Sequence, residues 1–246
     1  MPPPWRGGAG PWRPTLAELD NRRPIASRRS GWAQGLAAAL ARAGVSPNAI
    51  SAASVGFAVL GAAVLQRAGF NHGLPRAIDL ALAAAFVQGR LICNLLDGLV
   101  AVEHGKGSTS GPIWNELPDR FADVFFLAGA GYAAGLMGMG EIGPLLGWIA
   151  AAAAVTTAYV RELGRGLGFA ADFSGPFAKP QRMAALTLTC LVAAVEPVWG
   201  WEGQALVIGL AVIALGTLFT IYRRTATLAR RLRERGQSAP DSSPRA

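Results

Sequence analysis

Long apolar runs alternate with short polar segments along most of this chain. A bilayer-spanning helix needs about 20 predominantly apolar residues, and six stretches meet that requirement. They are residues 48–66, 78–102, 112–137, 144–163, 183–200 and 204–222. The pattern therefore predicts an all-α integral membrane protein with six transmembrane helices.

The segment 28–43, just before the first apolar run, has a different pattern. Trp32, Leu36 and Leu40 recur every four residues, which places them on one stripe of a helix. A helix with one such stripe suits the headgroup region of a membrane. We expect an N-terminal interfacial amphipathic helix here, in preference to an ordinary linker.

Composition divides the chain into three parts. Residues 1–27 are basic and rich in Pro and Gly, and they predict a disordered N-terminal segment. Residues 28–225 form the membrane domain. Residues 226–246 predict a basic, largely disordered cytoplasmic tail.

The charge of the chain follows its membrane pattern. The chain is 52% hydrophobic and 15% charged, with a net charge of +8, whereas a soluble domain carries about 25% charged residues. Because so little polar surface lies between the apolar runs, we assign the positive charge to the membrane flanks and expect no nucleic acid partner. Arginines concentrate before the first run and after the last, so the positive-inside rule places both termini in the cytoplasm.

Spans two and three carry ionisable groups, which membrane interiors usually exclude. Five of the 15 acidic residues lie between positions 97 and 123: Asp97, Glu103, Glu116, Asp119 and Asp123. Ionisable groups within a span usually face a cavity, pair with a partner or bind an ion. Helical spacing places two sets of residues on single stripes of the two helices: Arg90, Asn94, Asp97 and Ala101, and Gly111, Asn115, Asp119 and Asp123.

Oxygen donors of this kind favour a hard divalent cation, Mg²⁺ or Mn²⁺. Such an ion beside basic side chains stabilises the charge that develops on phosphate oxygens. The cluster therefore indicates phosphoryl or phosphatidyl transfer.

The stretch from Asn94 to Asp119, NLLDGLVAVEHGKGSTSGPIWNELPD, resembles the signature of the CDP-alcohol phosphatidyltransferase family. That signature reads D-x2-D-G-x2-A-R-x8-G-x3-D-x3-D, and every spacing is kept. The identities that match are Asp97, Gly98, Ala101, Gly111 and Asp119. Six spans with cytoplasmic termini also suit the family, and Asn at the first and third Asp positions is similar to an uncharacterised bacterial branch.

The resemblance implies a reaction, a cofactor and a location. In the family, an alcohol attacks a CDP-linked lipid such as CDP-diacylglycerol and CMP is released, with the help of Mg²⁺ or Mn²⁺. The resemblance further implies a homodimer in the inner membrane of a bacterium. It assigns the metal to Asn94, Asp97, Asn115 and Asp119, the general base to Asp119, and the lining of the nucleotide to Gly98, Ala101 and Gly111.

The chain departs from the signature at three positions. Asn94 and Asn115 stand where the family has Asp, and Val102 stands where it has Arg. With two carboxylates in place of four, either one metal suffices or Glu116 and Asp123 join the ligands. The basic residues that would contact substrate phosphates instead are Arg90, Lys106 and Arg120, together with Lys179 and Arg182 of the later segment GPFAKPQR.

Three alternatives remain at this point. A non-catalytic family member would keep the fold and lose the chemistry. An aromatic prenyltransferase also uses Asn- and Asp-rich motifs with Mg²⁺, but needs about nine spans and two such motifs. A small transporter or scaffold with a cation site would be favoured by inverted repeats, which the sequence does not show.

Overall fold

A computed structural model describes residues 30–103, 105 and 109–238, and these residues contain seven α-helices and no β-strand. The helices are α1 Gly31–Arg42, α2 Pro47–Phe70, α3 Gly73–Glu103, α4 Gly111–Ala134, α5 Ile142–Gly166, α6 Lys179–Val195 and α7 Gln204–Ser238. Six of them, α2 to α7, are long and apolar enough to cross a membrane. The predicted all-α architecture is confirmed, and the chain is a multi-pass membrane protein.

The C-terminal helix is longer than the sequence predicts. Helix α7 continues to Ser238, so residues 226–238 are helical and the prediction of a disordered tail is wrong for them. Arg230 and Glu234 form an i,i+4 pair on this extension, and Arg235 donates a hydrogen bond to the carbonyl of Leu167. The remaining predicted disordered segments, 1–27 and 239–246, lie outside the described residues.

The chain forms two compact units. Among the described residues, unit 1 comprises 30–58, 89–103, 105 and 109–122, and unit 2 comprises 59–88 and 123–238. In unit 1, an apolar core joins α1 to the parts of α2 and α3 that belong to this unit. Its buried members are Ala33, Ala37, Ile50, Leu95, Leu96, Leu99 and Val100.

Helix α1 lies where the sequence predicts an N-terminal amphipathic helix. Its small residues Ala33 and Ala37 are fully buried against the core of unit 1. Of the predicted stripe, Trp32 and Leu36 are exposed, whereas Leu40 packs against this core. Small residues let α1 approach the core closely, and the large exposed ones suit the headgroup region of a membrane.

In unit 2, helices α5 and α6 both pack against α7. Helices α4 and α5 are joined by a π-helical turn at Gly135–Met139, where Gly138 and Gly140 have positive φ angles of 100° and 54°. Only glycine adopts such angles without strain. The two glycines therefore permit the tight reversal between these helices.

Glycines also set the distance between α4 and α5. A Cβ added at Gly147 would lie 2.8 Å from the carbonyl oxygen of Leu127 and 2.9 Å from the Cα of Gly131. A Cβ at Gly143 would lie 2.5 Å from the carbonyl oxygen of Gly131. In membranes, helices associate through close packing of small residues of this kind.

We predict that Gly147→Ala lowers the melting temperature of the detergent-solubilised protein. The added methyl group meets backbone atoms that cannot move aside, and overpacking of this kind costs about 1–3 kcal/mol. The matched control is Gly56→Ala in α2, where an added Cβ meets nothing within 4 Å. That control should melt at the same temperature or higher, since alanine is the better helix former. Equal melting temperatures for the two variants would contradict the close crossing.

Candidate functional site

Asp97 is a buried carboxylate that is held by α2. It is 4% exposed, and one of its oxygens accepts a hydrogen bond of 2.6 Å from the hydroxyl of Ser51. The same hydroxyl lies 3.1 Å from the carbonyl oxygen of Pro47, one helical turn earlier, but its single proton serves one acceptor, and the contact with Asp97 is the shorter one. An ionised carboxylate in an apolar bundle is stable only with hydrogen bonds or a cation, so Ser51 helps to fix the carboxylate orientation.

Asp119 is a second buried carboxylate of unit 1, and α3 supplies its partners. The guanidinium of Arg90, which is fully buried, donates to Oδ1 of Asp119 at 3.0 Å and to the backbone carbonyl of Asp119 at 3.3 Å. The side-chain amide of Asn94 donates to the same Oδ1 at 3.2 Å. Residues that are 25 and 29 positions away along the chain thus converge on one carboxylate.

A second arginine lies on the other side of this carboxylate. Arg120 Nη2 is 3.6 Å from Oδ2 of Asp119 and 3.3 Å from Oε2 of Glu116. The guanidinium also donates to the backbone carbonyl of Glu116. Glu116 and Arg120, both predicted from the sequence, therefore form a partly exposed i,i+4 pair that borders Asp119.

The other predicted residues of unit 1 occupy varied environments. Asn115 is exposed on α4, one turn before Asp119. The three small residues predicted to line a nucleotide are half-buried: Gly98, Ala101 and Gly111. Lys106 lies outside the described residues.

The donor set suits a divalent cation that is bound together with a phosphate ligand. Among the residues that the structure describes, no group of three or more His, Cys, Asp and Glu side chains is placed to hold a metal ion. Mg²⁺ is commonly bound by one or two carboxylates plus the phosphate oxygens of a substrate. Asp97 and Asp119 are the buried carboxylates of unit 1 that could serve in this way.

Asp123 and Arg182, in unit 2, form a separate buried ion pair. Arg182 Nη2 is 2.8 Å from Oδ2 of Asp123, and both side chains are at most 2% exposed. Arg182 also donates to the carbonyl of Phe177 at 3.0 Å and to the hydroxyl of Thr157 at 3.3 Å. The sequence predicts Asp123 as a further metal ligand and Arg182 as a phosphate ligand, whereas here each is engaged by the other.

Arg224 holds the loop between α5 and α6 in unit 2. Its guanidinium donates to the carbonyls of Ser174 and Thr157 at 2.9 and 3.0 Å, and the residue is only 5% exposed. The predicted Lys179 is half-buried at the first position of α6. The loop is therefore fixed to α5 and α7 by buried hydrogen bonds.

A small cationic pocket lies beside this loop in unit 2. Arg161, Arg224 and Arg231 line it together with Phe169 and Asp172. Burial raises the pKa of the Asp172 carboxyl, but hydrogen bonds from Ser174 and the nearby charges of Arg224 and Arg231 outweigh it and hold that pKa below its usual value. With three guanidinium groups and one carboxylate, the pocket favours an anionic group.

The sequence alone does not predict a role for Ser51 or Arg224. Ser51 lies in an apolar helix, and the only sequence feature that distinguishes it there is its polar hydroxyl group. Arg224 belongs to the C-terminal run of arginines, which the sequence presents as a uniform topology signal. Its burial is decided by the fold.

Comparison with known proteins identifies the fold. No family model and no curated protein matches the chain. Solved structures of phosphatidylinositol phosphate synthase from Mycobacterium tuberculosis do match. The structure with CDP-DAG bound has 20% sequence identity and a TM-score of 0.67, and the match covers 88% of this chain and 99% of that chain. The chain has the fold of that synthase.

Two further structures of the same synthase agree. The complex with manganese and citrate has 20% identity and a TM-score of 0.65, over 87% of this chain and 93% of that chain. The apo form has 20% identity and a TM-score of 0.62, and the match covers 86% of this chain and 100% of that chain. The synthase is a CDP-alcohol phosphatidyltransferase, so the fold that the signature implies is confirmed.

We predict that Asp123→Asn lowers the melting temperature strongly, because it leaves the buried Arg182 charge without its carboxylate. Breaking a buried ion pair costs about 3–5 kcal/mol. The control is Glu162→Gln, which breaks the partly exposed pairs of Glu162 with Arg161 and Arg165 and should cost at most about 1 kcal/mol per pair. An Asp123→Asn variant that melts like the parent would show that the pair contributes little to stability.

Proposed function

We propose that this protein transfers a phosphatidyl or related lipid-phosphate group from a CDP-linked lipid to an alcohol and releases CMP. Three independent observations support the proposal. The chain keeps every spacing of the family signature, it has the fold of a phosphatidylinositol phosphate synthase, and it buries two carboxylates within that signature.

The observation that carries the proposal is the hydrogen bond between Asn94 and Asp119. These residues are the first and last positions of the signature, and they lie on different helices. A spacing that matches the signature becomes a site only if its two ends meet, and here the partly buried Asn94 meets the buried Asp119.

The residues suit the following chemistry. The acceptor hydroxyl attacks the phosphorus of the lipid phosphate, the bond from that phosphorus to the CMP oxygen breaks, and CMP leaves. Asp119 accepts the hydroxyl proton, a role worth typically 10²–10⁴-fold in rate. Arg90 and Asn94 hold the carboxylate of Asp119 in one orientation, and Ser51 does the same for Asp97.

Mg²⁺ or Mn²⁺ fits the donor set, and the predicted ligands are Asn94, Asp97, Asn115 and Asp119. When bound, the ion neutralises charge on the diphosphate and on the departing CMP. A related synthase structure contains manganese, which supports this choice of ion.

We further propose that the acceptor carries a phosphate group. The arginine-lined pocket of unit 2 favours an anion, and the name of the similar synthase indicates a product with a phosphorylated headgroup.

For the cellular setting, we propose the inner membrane of a bacterium, with both termini in the cytoplasm and the protein as a homodimer. The six candidate spans of the described residues are an even number, which supports both termini on one side. The arginines near both ends of the chain support the cytoplasm as that side.

The reaction is tested with purified protein, CDP-diacylglycerol and a panel of alcohols, with CMP release as the measurement. We expect activity that EDTA abolishes and that Mg²⁺ or Mn²⁺ restores. Asp97→Asn should abolish metal-dependent nucleotide binding. Asp119→Asn should retain binding and lower turnover by roughly 10²–10⁴-fold, since it removes the proton acceptor.

The control for both variants is Glu234→Gln, an exposed carboxylate of α7 outside the signature and the pocket, which should leave activity and metal dependence unchanged. Full activity in EDTA would remove the metal from the mechanism. Tight CDP and metal binding with no CMP release from any alcohol would instead indicate a non-catalytic member of the fold.

The acceptor proposal predicts a selective effect of Arg231→Gln. Loss of one guanidinium from the pocket should raise the KM for phosphorylated alcohols about tenfold or more, because a charged hydrogen bond is worth about 1.5–3 kcal/mol. The matched control is Arg233→Gln, an exposed arginine of the same helix that does not line the pocket. A neutral alcohol as the only productive acceptor would contradict the proposal.

A further inference from the structure

The loop between α5 and α6 lies along one face of α7, within unit 2. Residues of this face recur at helical spacing and form a single stripe. The stripe comprises Gly216, Thr220, Arg224, Leu228, Arg231 and Arg235. The loop runs antiparallel to it, so the end of the loop meets the middle of α7 and the start of the loop meets the C-terminal extension.

The end of the loop is fixed to the middle of α7 by three contacts. The backbone N–H of Phe177 donates to the hydroxyl of Thr220 at 3.1 Å. Arg224 donates to the carbonyl of Ser174 at 2.9 Å. A Cβ added at Gly216 would overlap the ring of Phe177, so the loop and the helix are in close contact there.

Arg235, in the C-terminal extension of α7, holds the start of the loop. It donates to the carbonyl of Leu167 at 2.8 Å, and its guanidinium carbon lies 3.8 Å from the centroid of the Phe169 ring. A cation over an aromatic face is attracted to it at this distance. Phe169 lines the cationic pocket, whereas Arg235 does not. Arg235 therefore acts on the pocket through the ring that it covers.

The charge of the pocket explains why the loop needs this support. Among the described residues that line the pocket, three arginines face one carboxylate, Asp172, and like charges repel each other. This repulsion opposes a closed pocket until an anion binds. A contact that holds the loop in place beforehand reduces the ordering that binding must supply, and so increases affinity.

We propose that Arg235 is a positioning residue for the acceptor: it holds Phe169 and the start of the loop against α7, and so keeps the pocket in the form that binds an anion. The inference rests on the proposed function, which makes a phosphorylated alcohol the ligand of this pocket. It gives the extension of α7 beyond the membrane span a role in substrate affinity.

Steady-state kinetics of the purified protein test the proposal. Arg235→Gln should raise the KM for a phosphorylated alcohol about tenfold and leave kcat unchanged, since a cation–π contact and a charged hydrogen bond are lost away from the reacting atoms. Arg235→Lys keeps a cation and a donor but not the flat guanidinium, so its KM should lie between those of the parent and Arg235→Gln.

The matched control is Arg233→Gln, which removes the same charge from the opposite face of the extension and should keep the parent KM. An equal rise of KM in both glutamine variants would reduce the effect to net charge and overturn the proposal. A parent-like KM in Arg235→Gln, or a fall in its kcat at unchanged KM, would also overturn it.

A double variant tests whether Arg235 acts through the aromatic ring. Phe169→Leu should also raise the KM, because the ring lines the pocket. Combining it with Arg235→Gln should raise the KM by less than the product of the two single effects, since contacting residues that share one interaction are not additive. Full additivity would overturn the proposed route through Phe169.

Hydrogen–deuterium exchange gives a readout that needs no turnover. Amides of residues 167–172 should exchange faster in Arg235→Gln than in the parent or in Arg233→Gln, and inorganic phosphate should slow their exchange more in the parent than in Arg235→Gln. Parent-like exchange in Arg235→Gln would overturn the proposal. If these differences appear but no alcohol supports CMP release, the transferase is refuted and the positioning role stands. CMP release with parent-like KM and exchange in Arg235→Gln would refute the positioning role alone.

Discussion

The ion pair between Arg90 and Asp119 is the interaction on which the candidate site depends. Both side chains are almost completely withdrawn from solvent, and an isolated ion in such surroundings costs several kcal/mol. Neither residue is tolerable without the other. The pair therefore fixes α3 and α4 to each other within unit 1, and Asn94 and Arg120 are arranged around the same carboxylate.

In unit 2, buried charges are also paired, but the pairs there connect helices and lie outside the signature. Arg182 and Asp123 pair in the bundle, and Arg67 pairs with the buried Asp79 near the start of α3. These pairs hold helices together and satisfy their own charges. The sequence signature alone does not distinguish the carboxylates of such ion pairs from metal ligands. An aspartate that binds an arginine and an aspartate that binds a metal are the same residue type.

Close helix packing is the other condition of this fold. Lipid tails are as apolar as leucine, so moving an apolar side chain from lipid to a helix interface gives little hydrophobic free energy for helix association. Gly131, Gly143 and Gly147 bring two backbones within van der Waals contact, and Ala33 and Ala37 are the residues of α1 that are buried in the core of unit 1. The high content of small residues in the apolar runs thus has a packing role that hydropathy alone does not express.

The sequence by itself determined the six spans, the amphipathic first helix and the signature, because apolar length and helical period are local properties. It also indicated oxygen donors for a hard cation. Only the tertiary structure decided which donors are already occupied: Asp119 by Arg90 and Asn94, and Asp123 by Arg182. It also decided that Ser51 holds Asp97 and that Arg224 is buried. These contacts join residues that are far apart in the chain. Such pairs produce no periodic pattern in the sequence, so the sequence alone does not predict them.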